Sequence, residues 1–189
     1  ALLCLLAVFL SMPVDAQDQG GEWSAFTSMR EMNDVLVDGP FVWAATTGGV
    51  LRYDRENRVY ARFTRLNGLA GNTVLSVGQD DGGDLWFGTD HQGLSRFRAL
   101  EQRFDRPFLD FVNLGVNAII ARDNRIFVGT TRGVSVFLSD REEVKESYRQ
   151  LGDLTKDIPV TALAFLGDTL FVGTEEGVAL ADLRQPNLQ

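Results

Sequence analysis

The chain has 189 residues, 26 acidic against 18 basic side chains, a formal charge of −8, one histidine and one cysteine. An acidic balance with no run of Lys and Arg interleaved with aromatics argues against a nucleic-acid partner, which needs a basic stripe. One histidine excludes a histidine-based metal cluster or a histidine pair, and the length suits about one domain.

In chain order, Ala1–Leu10 is an apolar run followed by Ser11, Pro13 and the small residues Val14 and Ala16. This pattern predicts a secretory signal peptide over residues 1–16, and the run is too short to span a bilayer. No initiator Met or basic segment precedes Ala1, so the signal is expected to be truncated at its start. Cys4 would leave with it, and Leu3 before it is not the small residue a lipoprotein signal requires. The remaining domain, 17–189, then lacks cysteine, which suggests export to a bacterial periplasm or cell surface without disulfides.

Four copies of a short phrase follow: Val42-Trp43-Ala44-Ala45-Thr46, Leu85-Trp86-Phe87-Gly88-Thr89, Ile126-Phe127-Val128-Gly129-Thr130 and Leu170-Phe171-Val172-Gly173-Thr174. Threonine to threonine, the steps are 43, 41 and 44 residues. Each copy is followed by Gly and an aliphatic residue, at Gly49-Val50, Gly93-Leu94, Gly133-Val134 and Gly177-Val178. Such a period with several short strands per unit predicts an all-β fold, a β-propeller with about four blades of four antiparallel strands, centred on 43, 86, 127 and 171.

Within each unit, a first strand precedes the phrase (34–37, 73–77, 118–121, 161–165), the phrase is the second, and the third starts at the glycine. Fourth strands are expected at 59–64, 102–104 and 146–149. Asp140–Glu146 reads as a short helical insertion in the third unit. Trp23–Thr27 resembles Tyr60–Thr64 and so reads as an orphan fourth strand, of the kind that closes a propeller ring against its last blade. The phrase aromatics are expected to pack between blades.

At Asp81-Gly82-Gly83-Asp84-Leu85-Trp86-Phe87-Gly88-Thr89, followed by Gly93-Leu94-Ser95-Arg96-Phe97, the chain resembles the two-component-regulator propeller repeat. Asn67-Gly68-Leu69 and Asn72-Thr73-Val74 ahead of it match the same pattern. The first unit departs from it at Ala45, and the third and fourth lack the Trp and the acidic turn. The resemblance covers roughly residues 23–184 and implies an exported bacterial propeller, part of a larger, seven-bladed one. Relatives of this kind form the periplasmic sensor regions of hybrid histidine kinases or belong to type IX secretion systems.

No catalytic constellation is legible, and no cofactor is expected. Taking Asp80 as the first position of a calcium loop puts His91 at the twelfth, where a carboxylate is needed, so Asp80–Asp84 reads as a hairpin turn and no metal ligands are assigned. Propeller geometry places the second-to-third-strand loops and the inter-blade loops on one face. There Asn72, Asp90, His91, Gln92, Asn117, Arg132, Glu175 and Glu176 are the candidate ligand-binding residues. The expected partner is a small molecule, glycan or protein at this mouth, with a membrane reached only through segments beyond these residues, and an open blade edge favours dimerisation. The expected function is non-catalytic ligand sensing, with an exported scaffold without a kinase as the alternative. A propeller enzyme with catalytic residues in further blades is the weaker rival.

Overall fold

The computed structural model describes residues 31–185. The expected signal peptide at 1–16 and the orphan strand at Trp23–Thr27 lie outside the described residues.

Strands β1 (Met32–Asp38), β2 (Phe41–Thr46), β3 (Gly49–Asp54) and β4 (Val59–Phe63) form an antiparallel meander, the first blade. In the second blade β5 (Val74–Gln79) pairs with β6 (Leu85–Arg98), which carries both the second and third strands and folds at Asp90–Gln92, where His91 has φ +62°. Its fourth strand begins as β7 (Arg103–Phe104) and resumes in β8 (Phe108–Arg122), whose later half is the first strand of the third blade. β9 (Arg125–Thr130), β10 (Gly133–Leu138) and β11 (Glu143–Tyr148) complete that blade. β12 (Val160–Leu166), β13 (Thr169–Thr174) and β14 (Val178–Asp182) form the fourth, three-stranded among the described residues.

Three apolar cores separate the blades, and the phrase aromatic anchors each. Trp43 packs with Phe63, Phe87 and Phe97 between the first and second blades. Trp86 packs with Phe108 and Phe137 between the second and third, and Phe127 with Phe165 between the third and fourth. Burying each ring stabilises the stack by about 1.5–3 kcal/mol, which accounts for the recurrence of an aromatic at this position.

The rest of the phrase has equally local causes. Each threonine hydroxyl donates to the carbonyl of the following glycine, from Thr46 to Gly49 (2.9 Å), Thr89 to Gly93 (2.7 Å), Thr130 to Gly133 (3.0 Å) and Thr174 to Gly177 (2.9 Å). This staples the turn between second and third strands. At Gly133, φ is +95° and a Cβ would collide with the Tyr148 carbonyl of the fourth strand, so only glycine fits. Gly129 lets Val160 of the next blade approach, and Gly88 does the same for Val116.

Strand β1 and its counterparts share one irregularity. The register slips by a residue between Met32 and Asp34, Val74 and Ser76, Val116 and Ala118, and Val160 and Ala162, always opposite the end of the phrase. The bulged residues are Asn33, Leu75, Asn117 and Thr161. A bulge bends its strand and re-aims a side chain.

Two expectations are corrected. Asp140–Glu146 is not helical: a turn leads into β11, where Val144 packs on the core between second and third blades and Tyr148 on the next. The period-two alternation of exposed and half-buried residues sets a strand there. The second blade's fourth strand does not end at Phe104. Pairing passes from Phe97–Phe104 to Leu94–Phe108 with a one-residue offset around Pro107, which has no N–H for the ladder.

At that offset Asp105 accepts from Nε of Arg96 (2.7 Å) and of Arg98 (2.9 Å). Arg96, 3% exposed, lies over Trp86 and Phe108 and also pairs with Glu142 of the third blade. Arg52 holds the corresponding place one blade earlier, over Trp43 and Phe63, and reaches Gln102 of the second blade at 2.6 Å. These two arginines cross between blades.

Candidate functional site

The antiparallel meander returns the chain to the same end of every blade after its second and fourth strands. The loops 47–48, 90–92, 131–132 and 175–176 and the inter-blade connectors therefore share one face. Backbone bonds knit the two sets together: Thr47 N–H donates to the Glu31 carbonyl (3.1 Å), Asp90 to Thr73 (2.9 Å) and Thr131 to Gly115 (3.0 Å).

All eight sequence-predicted residues lie on this face or, for Asn117, just inside it, but they do not converge on one cavity. Asn72 Oδ1 accepts the Arg65 N–H at 2.9 Å, holding a connector whose Thr64–Asn67 capping box caps the 3-10 turn Arg65–Asn67. Thr64, Arg65, Leu66 and Asn72 border an open cleft there. Asp90 and His91 pair through the carboxylate and Nδ1 at an exposed tip. This tip exists because the second blade's turn is one residue longer than the others, Thr89 to Gly93 against Thr130 to Gly133. Its backbone pairs with the connector at Gln92–Val112 and Asp90–Gly115. The Gln92 side chain rests where a Cβ on Gly71 would stand, so Gly71 is needed to seat it.

On the other side of the mouth, Arg149 pairs with Asp157 across the third connector, and hydrogen bonds from Arg149 hold the Asp157 carboxyl below the usual range. The positive charge of Arg132 adds to that lowering. Glu176 accepts the Thr155 N–H at 2.9 Å, and hydrogen bonds from Thr155 lower its carboxyl. Glu175 is exposed beside it. The mouth is thus a rim of small polar clusters, each clamping a connector to a blade turn.

The acidic turn serves the fold. Asp80 Oδ1 accepts the N–H groups of Gly82 and Asp84 (both 3.0 Å), and Oδ2 accepts the Trp86 indole at 2.8 Å. Asp84 accepts from the Ala99 N–H (3.0 Å) and Arg98, and Asp81 accepts the Asp123 N–H at 2.7 Å. These carboxylates face N–H donors, the arrangement of a hairpin turn.

Sequence reasoning missed the channel behind the mouth. The first strands lie against one another, and their bulged ends line a cavity of about 320 Å³, with Asn33 and Asp34 from the first blade, Leu75 from the second, Asn117 and Ile119 from the third, and Thr161 and Leu163 from the fourth. Asn33 Nδ2 donates to the Val74 carbonyl (2.6 Å) and Asn117 Nδ2 to the Val160 carbonyl (3.0 Å), equivalent bonds two blades apart. In the second blade Ser76 takes this role, its hydroxyl donating to Val116 at 2.8 Å. A signal existed: Asn33, Asn117 and Thr161 each stand 13 residues before the phrase threonine of their unit.

The family model of the two-component regulator propeller matches residues 68–91. No curated protein matches the chain by sequence. Among solved structures it is similar to the extracellular domain of the hybrid two-component system BT3049 of B. thetaiotaomicron (TM-score 0.70, 18% identity, 92% of this chain and 25% of that one). It is also similar to that of BT4673 from the same organism (TM-score 0.68, 22% identity, 84% and 22%). A third neighbour is PorZ, a surface component of the type IX secretion system of Porphyromonas gingivalis (TM-score 0.65, 19% identity, 86% and 23%). The chain spans a quarter or less of the length of these three structures. Residues 68–91 carry the two-component regulator propeller repeat, and the chain built around them is an all-β run of four successive propeller blades.

Proposed function

We propose that the chain is a non-catalytic ligand-binding propeller that serves as the exported sensor region of a two-component signalling protein. The observation that carries this reading is the regulator-propeller repeat at 68–91 on a fold shared with extracellular domains of hybrid two-component systems. The physics supports it. Three apolar cores make a rigid stack, and the variable polar loops are gathered on one face, as a binding platform requires. Asn72, Asp90, His91, Gln92, Arg132, Glu175 and Glu176 form the rim of that platform, with Asn117 at its entrance. His91 is exposed and pairs with the adjacent Asp90, which places a polar pair at the tip of the second blade's turn.

A ligand at the mouth acts by favouring one of two arrangements of the propeller and whatever it is joined to. The similarity to PorZ supports a second reading, an exported scaffold in a secretion system without a kinase. Reading the gene beyond the codon for Gln189 separates the two. A membrane helix followed by a histidine-kinase segment is the expected result, whereas a C-terminal sorting domain would favour the scaffold.

A further inference from the structure

We propose that the cavity at the mouth end of the first strands binds a primary alkylammonium group, the amine supplying a cation that its described lining lacks. The proposal rests on the reading of the chain as a binding propeller and names the chemistry of what it binds.

Four observations carry it. First, the cavity of about 320 Å³ is lined at one level by the bulged residue of every blade: Asn33, Leu75, Asn117 and Thr161. A bulge repeated at one position re-aims one side chain per blade to a common point. Second, the polar side chains of the lining can each accept a hydrogen bond. The Asn33 and Asn117 amides spend one Nδ2–H each on the carbonyls of Val74 and Val160, and their side chains line the cavity together with the Thr161 hydroxyl. Third, Asp34 is the one charged side chain in the lining. Its carboxylate is fixed by the N–H groups of Val35 (2.8 Å) and Val77 (2.9 Å), which leaves lone pairs for a further donor. Fourth, Leu75, Ile119 and Leu163 supply an apolar wall on which an alkyl stem can lie.

An anion would meet Asp34 with no compensating cation among the lining residues. A neutral polyol would leave that charge unneutralised. An ammonium offers three donors to a carboxylate and to the neighbouring polar side chains, and the net charge of −8 steers a cation towards the protein. The volume is enough for one aminoalkyl chain.

The test is calorimetric titration of the 189-residue chain with putrescine, with N-acetyl-lysine methylamide and with the uncharged isostere 1,4-butanediol. Putrescine is expected to bind and butanediol not to. Binding of the lysine amide as well identifies a peptide lysine as the source, and putrescine alone identifies a free amine; either supports the proposal. Asp34→Asn is expected to weaken putrescine binding by about tenfold, or about 1.4 kcal/mol, because it removes the one charge in the lining. Because Asp34 also ties the first blade to Val77, Asn117→Asp is the second variant, and the added charge is expected to tighten binding several-fold. Equal binding of butanediol and putrescine, or no response to either substitution, overturns the ammonium assignment while leaving the propeller a binding module. Failure of putrescine and of the lysine amide to bind at all also overturns it, whatever other ligand the mouth loops take.

Discussion

Two tryptophans at the same place in successive blades differ in one bond, and that difference sets a measurable contrast. Trp86 Nε1 donates to the Asp80 carboxylate at 2.8 Å, while the Trp43 indole N–H is buried without a hydrogen-bond partner among the described residues. The cause is the turn: the second blade has Asp80–Asp84 where the first has only Gly39-Pro40. Replacing either Trp by Phe removes a similar slice of ring, each residue being no more than 1% exposed. Trp86→Phe additionally breaks a hydrogen bond to a charged group, worth about 1.5–3 kcal/mol, whereas Trp43→Phe relieves an unsatisfied donor that costs about 1–3 kcal/mol. Trp86→Phe should therefore be more destabilising than Trp43→Phe by about 3 kcal/mol. Urea unfolding followed by far-UV circular dichroism measures both, and Asp80→Ala combined with Trp86→Phe should show strong non-additivity that Asp80→Ala with Trp43→Phe lacks. Equal costs for the two substitutions, or additive behaviour with Asp80, would refute the reasoning.

Other expectations follow from named contacts. Gly129→Ala should destabilise by about 1–3 kcal/mol through collision with Val160, and the double variant with Val160→Ala should recover much of that loss. Thr130→Val should cost about 1 kcal/mol by leaving the Gly133 carbonyl without its hydroxyl donor, read from the same unfolding curves. Burial raises the Asp105 carboxyl, but the hydrogen bonds and charges of Arg96 and Arg98 outweigh it and hold the group below its ordinary value. Its folded-state value being depressed, the stabilisation is full above the unfolded value of about 4 and is lost as pH falls through the lower folded value. Acid titration should thus show Asp105→Asn already destabilised at neutral pH and less sensitive to acid below about pH 4 than the parent. Hydrogen bonds from Arg184 push the half-buried Asp182 carboxyl down to about 2, so carbon-detected magnetic resonance should find it still ionised at about pH 3.

The blades were legible because the phrase is the part of the repeat where one physical demand recurs in every unit. An aromatic fills the gap to the next blade and a threonine closes the turn, and in the second and third units a glycine admits the next blade's valine. Trp43, Trp86 and Phe127 are those aromatics, and Gly88 and Gly129 those glycines. The acidic turn was also read correctly as a hairpin, because its flanks alternate as strands do. What escaped was set by tertiary context. Asp140–Glu146 reads as helical from its polar run alone, and burial of Val144 and Tyr148 on two different cores makes Glu143–Tyr148 a strand. The second blade's fourth strand crosses Pro107, so its continuation to Phe108 rests on the pairing with Leu94. The channel residues were hidden because a bulge breaks the period-two rule by which inward and outward positions are told apart. Asn33, Asn117 and Thr161 share one spacing to their threonine and Asn117 was legible as a candidate, but Leu75 is apolar and one residue out of step, which hides the ring. The mouth loops were placed on the correct face by topology alone, but their division into separate clamps, such as Glu176 with Thr155, depends on the length and path of each connector.

The central claim is that the loop face of this propeller binds a ligand without transforming it. The most direct measurement is amide chemical-shift mapping of the chain against mixtures of glycans, peptides and amines. The account predicts shifts confined to the connectors and turns at 64–73, 90–92, 109–117, 131–132, 149–159 and 175–176 and to the channel strands behind them, with the added compounds recovered unchanged. Shifts centred on the opposite turns at 39–40, 80–84, 123–124 and 139–142, or a compound converted to product, would contradict it.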